Sequence, residues 1–500
     1  MSRIGKNTLM FSTGTLISRF LGLLREFIFT YFLGASIATD IFFATFRIPN
    51  FLRQLLAEGT LSFAYINVSC EYKKKHGENE SNKLSSAFLI WIALITTVLF
   101  FLILFYSEYF IKFLLPGFEQ EKILLATYYL KWIFPFIIFI SLSSIFSGYL
   151  NIKGNFFLPA FSPVFLNIFL ISAVVFFYAE NTREMGKIFG ISVMLAGGVQ
   201  LFLLGFSAFK NGFRFSFKPW HPGLKKMFFY FIPGTFAMAA TQINMLVDNI
   251  FASYLPYGGI SWVNYGNRLV QFPLGIFGVA LATVMTPYFA DNKNNENMGA
   301  GLIKAFRLNT VIMIPCTVFL YIYSYPVIKL LFERGKFSSE DSVQVAAVCA
   351  LYSLGLWFYS TLKLLLPYFY SAGKMYIPFF GAVFGLVVNT LLNYYLMIKM
   401  GAAGLALATT FSALLKFCFF MFFVDRKGFG TLGLFFVKFS VLTGFYVLLL
   451  HFLKDFNLLF NIFAGCVIYV ILLLLFKFEE LEDIIEVIKM KMNMKQERRG

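Results

Sequence analysis

Arginine and carboxylate side chains crowd the start of an otherwise apolar chain. Arg19, Arg25, Glu26, Asp40, Arg47, Arg53 and Glu58 sit among runs such as Phe27-Ile28-Phe29 and Ile41-Phe42-Phe43. An ionised group at the centre of a bilayer costs about 3 kcal/mol or more, so it faces a cavity or a partner. The guanidinium group offers a planar fork of donors that suits phosphate oxygens. Several arginines with few acids in a lipid-embedded segment therefore point to an anionic ligand. A phosphorylated or pyrophosphorylated lipid fits this chemistry, and a free organic anion would use the same charges. Arg19 and Arg25 are about 240° apart around a helix, so a bend at Gly22 would be needed to turn both to one side. Gly14, Pro233 and Gly234 are the other candidate bend points. Later in the chain, Asp248 and Arg268 are isolated charges inside spans.

The elements that must hold these residues follow from composition. The chain has 500 residues, 59% hydrophobic and 13% charged, where an ordinary globular domain carries about a quarter charged. The formal charge of +17 would suggest nucleic acid on a soluble chain, but this composition excludes a soluble nucleic-acid binder. It also excludes a disordered chain and a disulfide scaffold. Cys70, Cys316, Cys349, Cys418 and Cys466 are scattered and read as apolar filler. Apolar stretches fall at 8–32, 38–68, 85–107, 124–148, 157–178, 188–208, 227–254, 260–289, 303–328, 343–371, 377–398, 401–424, 433–453 and 457–476. The fold class is thus an all-α integral membrane protein with about 14 transmembrane helices.

An even number of crossings puts both termini on one side. The loops of that side hold most of the basic residues, including Lys73, Lys74, Lys75, Lys210, Arg214, Lys218, Lys225 and Lys226. Basic residues in the opposite loops are matched by acids such as Glu119, Glu121, Glu333, Glu340 and Asp341. This asymmetry places both termini in the cytoplasm. The tail 477–500 mixes Glu, Lys and Ile at helical spacing and reads as an amphipathic helix on the membrane surface.

The chain also repeats itself. Gly154-Asn155-Phe156 with Pro159 and Phe161 resembles Gly373-Lys374-Met375 with Pro378 and Phe380. Tyr149 and Phe118 recur as Tyr368 and Phe337 at the same offset, and Gly14-Thr15 recurs as Gly234-Thr235. The offset spans an even number of helices, so the copies share orientation. The pattern predicts two six-helix lobes, 1–215 and 222–425, in a parallel pseudo-twofold repeat, with helices 13–14 at 433–476 outside it. Two such lobes around a cavity make a transporter architecture.

At the residue level the chain resembles the MurJ/MviN lipid II flippase family of the multidrug/oligosaccharidyl-lipid/polysaccharide exporter superfamily. Three segments carry the resemblance: Ser18-Arg19 with Gly22 and Arg25-Glu26; Thr39-Asp40 with Arg47, Pro49-Asn50 and Arg53; and Ala57-Glu58-Gly59 with Ser62. It continues through Gln242-Ile243-Asn244, Arg268-Leu269, Phe272-Pro273 and Gly335-Lys336-Phe337. The resemblance implies a flippase of the bacterial inner membrane that moves lipid II to the outer leaflet for peptidoglycan synthesis. It implies a cationic cavity for the pyrophosphate-linked sugars and a groove at helices 13–14 for the undecaprenyl tail. It assigns substrate binding to Arg19, Arg25, Glu26, Asp40, Arg47, Arg53, Glu58 and Arg268. Some relatives bind sodium, and the matching positions here are Asp248, Asn389, Asn393, Leu405 and Thr409. Two positions depart from relatives. Asn267 precedes Arg268 where some have Asp, and Asn393 stands where the sodium site has Asp, which leaves less negative charge. No cofactor beyond Na+ is expected. Lipid II and membrane lipids are the expected partners, nucleic acid is not, and a monomer is the expectation for a state that the sequence itself does not give.

Other functions fit the residues less well. A flippase for another undecaprenyl-linked oligosaccharide shares the charge pattern. A drug-cation exporter would have an acidic cavity, and a channel would spread polar residues over several helices. An integral-membrane enzyme would need placed bases or metal ligands, whereas His76, His221 and His451 are far apart. The sequence therefore reads as a transporter and not an enzyme.

Overall fold

In lipid a backbone must satisfy its own hydrogen bonds, and a helix does so within one segment. The computed structural model describes residues 3–54, 60–292, 297–425 and 429–480, and every regular element among the described residues is helical. The first half holds α1 (Arg3–Leu33), α2 (Ile37–Arg53), α3 (Thr60–Phe105), α4 (Ser107–Leu114), α5 (Gln120–Ile133), α6 (Phe136–Ile152), α7 (Phe157–Phe161), α8 (Val164–Phe177), α9 (Thr182–Lys210) and α10 (Gly223–Ala252). There follow α11 (Gly259–Pro273), a π-helical turn (Leu274–Gly278), α12 (Val279–Asp291), α13 (Asn297–Ile322), α14 (Ser324–Phe332), α15 (Ser339–Ser353), α16 (Leu356–Ser371), α17 (Tyr376–Phe423), α18 (Gly430–Phe452) and α19 (Leu458–Leu475). The π turn directly follows Pro273, which lacks the N–H that an α-helix would use.

Among the described residues nine helical segments are long and apolar enough to cross a membrane, or ten if α15 and α16, bent by 44°, form one span. Two of the nine fold back on themselves. As a straight rod, α17 would be about 70 Å long, over twice the hydrocarbon core. It reverses at Gly401, whose φ of 58° and ψ of −131° break the helix. Asn389 then meets Thr409, and Ser412 Oγ donates to the Gly385 carbonyl at 2.8 Å. α3 reverses in the same way at Gly77, with φ 84° and ψ 177°. Tyr65 pairs with Ser85 at 2.8 Å, and Ser81 Oγ donates to the Ser69 carbonyl. α1 and α10 run as helix through Gly14, Gly22, Pro233 and Gly234.

The helices begin at nearly the repeat offset. α5 starts at Gln120 and α15 at Ser339, α6 at Phe136 and α16 at Leu356, and α2 at Ile37 and α11 at Gly259. Contacts, however, divide the chain into two compact units elsewhere: Met1–Asn264 with Leu331–Asp341, and Tyr265–Leu330 with Ser342–Gly500. α10 belongs to the first unit because Leu224 and Met227 bury with Leu84, Phe88 and Phe213. In that unit α9 lays glycines against bulky rings. A Cβ at Gly186 would meet Tyr129 at 2.1 Å, and one at Gly190 would meet Trp132 at 2.3 Å. Such close approach supplies van der Waals packing where lipid gives no hydrophobic drive between helices. The second unit centres on Phe306, Leu365, Phe369 and Phe420, and on Phe435, Phe439, Tyr446 and Leu472. Large apolar side chains face outward, among them Phe105, Phe422 and Leu434, each 77% exposed. That exposure suits lipid and not water.

Candidate substrate and ion sites

Two capped helices set the geometry of the first unit. α2 starts at Ser36, where Ser36 and Thr39 form a capping box. One residue further on is Asp40, 2% exposed. Its Oδ2 accepts from the Gly258 amide at 2.8 Å. Its Oδ1 accepts from the Ser261 amide at 2.8 Å and from Ser261 Oγ at 2.7 Å. Asp40 thus places a carboxylate at the N-terminus of α11, where unsatisfied amides and the helix dipole favour negative charge. Two turns along α2, Arg47 donates to Asn264 Oδ1 at 3.1 Å and to the Met245 carbonyl at 3.5 Å. Asn249 Nδ2 donates to the Ala44 carbonyl at 3.3 Å. One face of α2 therefore fastens α10 and the first two turns of α11.

The arginines of α1 differ in their surroundings. Arg25 pairs with its neighbour Glu26 at 2.5 Å, and its guanidinium lies 5.8 Å from the Phe29 ring centre. Arg25 Nε is buried with no protein acceptor among the described residues. Arg19 is half-buried and has no ion pair or hydrogen bond among the described residues. On α2, Arg53 donates to Asn50 Oδ1 at 2.8 and 3.0 Å within its own helix. Glu58 lies outside the described residues. In the second unit Arg268 is half-buried on α11, and the neighbouring Asn267 accepts from Gln271 at 3.3 Å.

Four residues of the expected ion site come together. Asn393 Nδ2 donates to Asn389 Oδ1 at 2.8 Å, Asn389 Nδ2 to Thr409 Oγ1 at 3.4 Å, and Thr409 Oγ1 to the Leu405 carbonyl at 3.0 Å. The Gly401 reversal makes this possible by bringing the arms of α17 side by side. Both asparagines are fully buried. Asp248 is half-buried on α10 in the first unit. Among the described residues no three His, Cys, Asp or Glu groups gather as a metal site.

Sequence reasoning missed the partners rather than the charges. Gly258, Ser261 and Asn264 are polar or small residues of a kind found at any helix start. Nothing local marks them as ligands of residues more than two hundred positions earlier. Arg307 inside α13 was also passed over. It lies 3.7 Å from Glu480 and 5.3 Å from the centre of the Phe435 ring.

An all-helical fold with apolar spans, hairpin reversals and charges held inside helices defines a multi-pass membrane protein. Its fold is shared with a multidrug transporter. An inward-facing multidrug resistance MATE family transporter of the MOP superfamily matches it with a TM-score of 0.68, at 15% identity, over 81% of this chain and 94% of that one. The chain belongs to the lipid II flippase MurJ family, whose model matches residues 29–477. A probable lipid II flippase MurJ of Buchnera aphidicola subsp. Acyrthosiphon pisum is 36% identical over 413 residues, 81% of this chain and 80% of that protein. One of Thermotoga maritima is 31% identical over 489 residues, 96% and 98% of the two chains. The solved structure of lipid II flippase MurJ in an inward closed conformation matches with a TM-score of 0.82 at 27% identity, over 95% of this chain and all of that one. The resemblance found in the sequence is therefore confirmed, and the chain is a multi-pass membrane protein of a transporter family, not an enzyme.

Proposed function

We propose that the chain is a lipid II flippase of the bacterial inner membrane, carrying the undecaprenyl-pyrophosphate-linked precursor from the cytoplasmic to the outer leaflet. The observation that carries this reading is the pair of α1 arginines, set in a chain that matches flippases along nearly its whole length. Arg19 has no protein counter-charge among the described residues, and Arg25 has Glu26. Two guanidinium groups with one adjacent acid hold net positive charge where a pyrophosphate would be received. Arg47, Arg53, Glu58 and Arg268 complete the proposed substrate set. Asp40 acts in this scheme by positioning, because its carboxylate is committed to Gly258 and Ser261.

Transport follows alternating access between the lobes 1–215 and 222–425, with the tail held at 433–476 and both termini in the cytoplasm. Membrane potential acts on charge in the cavity at about 2.3 kcal/mol per unit charge per 100 mV. The oxygen-rich set Asn389, Asn393, Leu405 and Thr409 suits Na+, a hard cation that takes carbonyl and hydroxyl oxygens, and the resemblance adds Asp248 as the fifth position. When bound, Na+ would supply positive charge drawn from the ion gradient. A monomer suffices for these roles.

The test is complementation of a strain depleted of its own flippase. Arg19→Ala and Arg25→Ala are each expected to abolish growth while the protein inserts normally. Arg25→Lys keeps the charge but loses the fork, and is expected to rescue only in part. Normal growth with either alanine variant would overturn the proposal. Failure of the well-inserted wild-type chain would direct it to another undecaprenyl-linked oligosaccharide.

A further inference from the structure

The segment that joins α9 to α10, residues 211–222, is neither helix nor strand, yet it is fixed in place. One edge is fastened to the second arm of α3. Asn82 Nδ2 donates to the Gly212 carbonyl at 3.0 Å, the Ser216 amide to Ser86 Oγ at 3.0 Å, and Trp91 Nε1 to the Pro219 carbonyl at 2.9 Å. The other edge is open. Phe217 is 85% exposed and Trp220 75%, and Arg214 and Lys218 beside them are exposed too.

The charges around this strip are unevenly matched. Three glutamates of the Gly77 hairpin are each shared by two basic side chains, a histidine among them. Glu71 bridges Lys75 and Lys226, Glu78 bridges Lys153 and Lys73, and Glu80 bridges Lys83 and His221. The stretches 66–92 and 205–230 contain no other acids. Lys74, Lys210, Arg214, Lys218 and Lys225 are exposed and have no acidic partner among the described residues.

We propose that the 211–222 linker and the adjoining Gly77 hairpin form one surface that binds anionic phospholipid head groups. The membrane is favoured over a nucleic acid by position. α9, a candidate span, ends at Lys210, so the linker begins at the membrane surface. Trp91 lies on a candidate span and meets Trp220 with ring centres 5.3 Å apart, a placement typical of the lipid–water interface. Exposed Phe and Trp interleaved with Lys and Arg insert rings into the head-group region while the cations meet phosphate. The proposal does not rest on the identity of the transported lipid.

The test uses the full chain in phosphatidylcholine vesicles containing a minority of phosphatidylglycerol, with brominated acyl chains on one lipid at a time. Trp220 fluorescence is isolated by subtracting the Trp220→Phe variant. Brominated phosphatidylglycerol is expected to quench Trp220 about fivefold more than its mole fraction predicts, since each surface cation attracts an anionic leaflet. High salt is expected to remove the excess. The combined Lys74, Lys210, Arg214, Lys218 and Lys225→Gln variant is expected to lose it without change in thermal stability. Quenching in proportion to mole fraction for both lipids in the wild-type chain would overturn the proposal. So would a Trp220 response to an RNA oligonucleotide with none to phosphatidylglycerol. The wild-type arm stands even if the fivefold variant fails to fold.

Discussion

Asp40 shows how far a residue's chemistry can be read before its neighbours are known. An acid in an apolar helix must be partnered, and that much follows from sequence. The partner turned out to be the start of α11, reached across more than two hundred residues, which local spacing cannot reveal. Asp40→Asn keeps the shape but removes the charge facing two amides and a hydroxyl. It is expected to destabilise the first unit by about 1–3 kcal/mol, seen as a lower melting temperature in detergent. An unchanged melting temperature would refute its positioning role. The Asn389–Asn393–Thr409 chain allows a second substitution. Asn393→Asp adds a carboxylate to a set of neutral oxygens and is expected to strengthen Na+ binding. The measurement is Na+-dependent thermal stabilisation, with a midpoint at lower Na+ than in the wild-type chain. A midpoint that rises or stays put would argue against a cation there.

The helices themselves were legible because lipid leaves the backbone little choice. Expected stretches at 377–398 and 401–424 are the two arms of α17, and those at 433–453 and 457–476 match α18 and α19 closely. The breaks at Gly401 and Gly77 are legible in retrospect, since both backbone conformations are open mainly to glycine. Gly401→Ala meets no neighbouring atom, so its expected cost of about 1–3 kcal/mol comes from the backbone alone. Gly404→Ala is different, because its Cβ would lie 2.1 Å from the Leu396 carbonyl oxygen. It is expected to push the two arms apart and lower stability further than Gly401→Ala in the same melting assay. Equal melting temperatures for the two variants would show that the arms do not pack as closely as described. The place of α10 was not legible. Its sequence matches the start of the repeat, but its burial is decided by Leu224 and Met227 meeting Leu84 and Phe88.

The net charge of +17 has distinct parts in the whole protein. One part lies in loops, where it opposes acids or remains open, as on the 211–222 linker. The other lies inside helices, where Arg25, Arg47 and Arg53 each have a named protein partner and Arg19 has none among the described residues. That second part is the proposed means of receiving a pyrophosphate, and it gives the account its sharpest test. Lipid II exposed at the outer face is measured in cells depleted of their own flippase that carry either the wild-type chain or Arg25→Ala at matched membrane levels. The account predicts exposure restored by the wild-type chain and lost with Arg25→Ala. Equal exposure with both would contradict it.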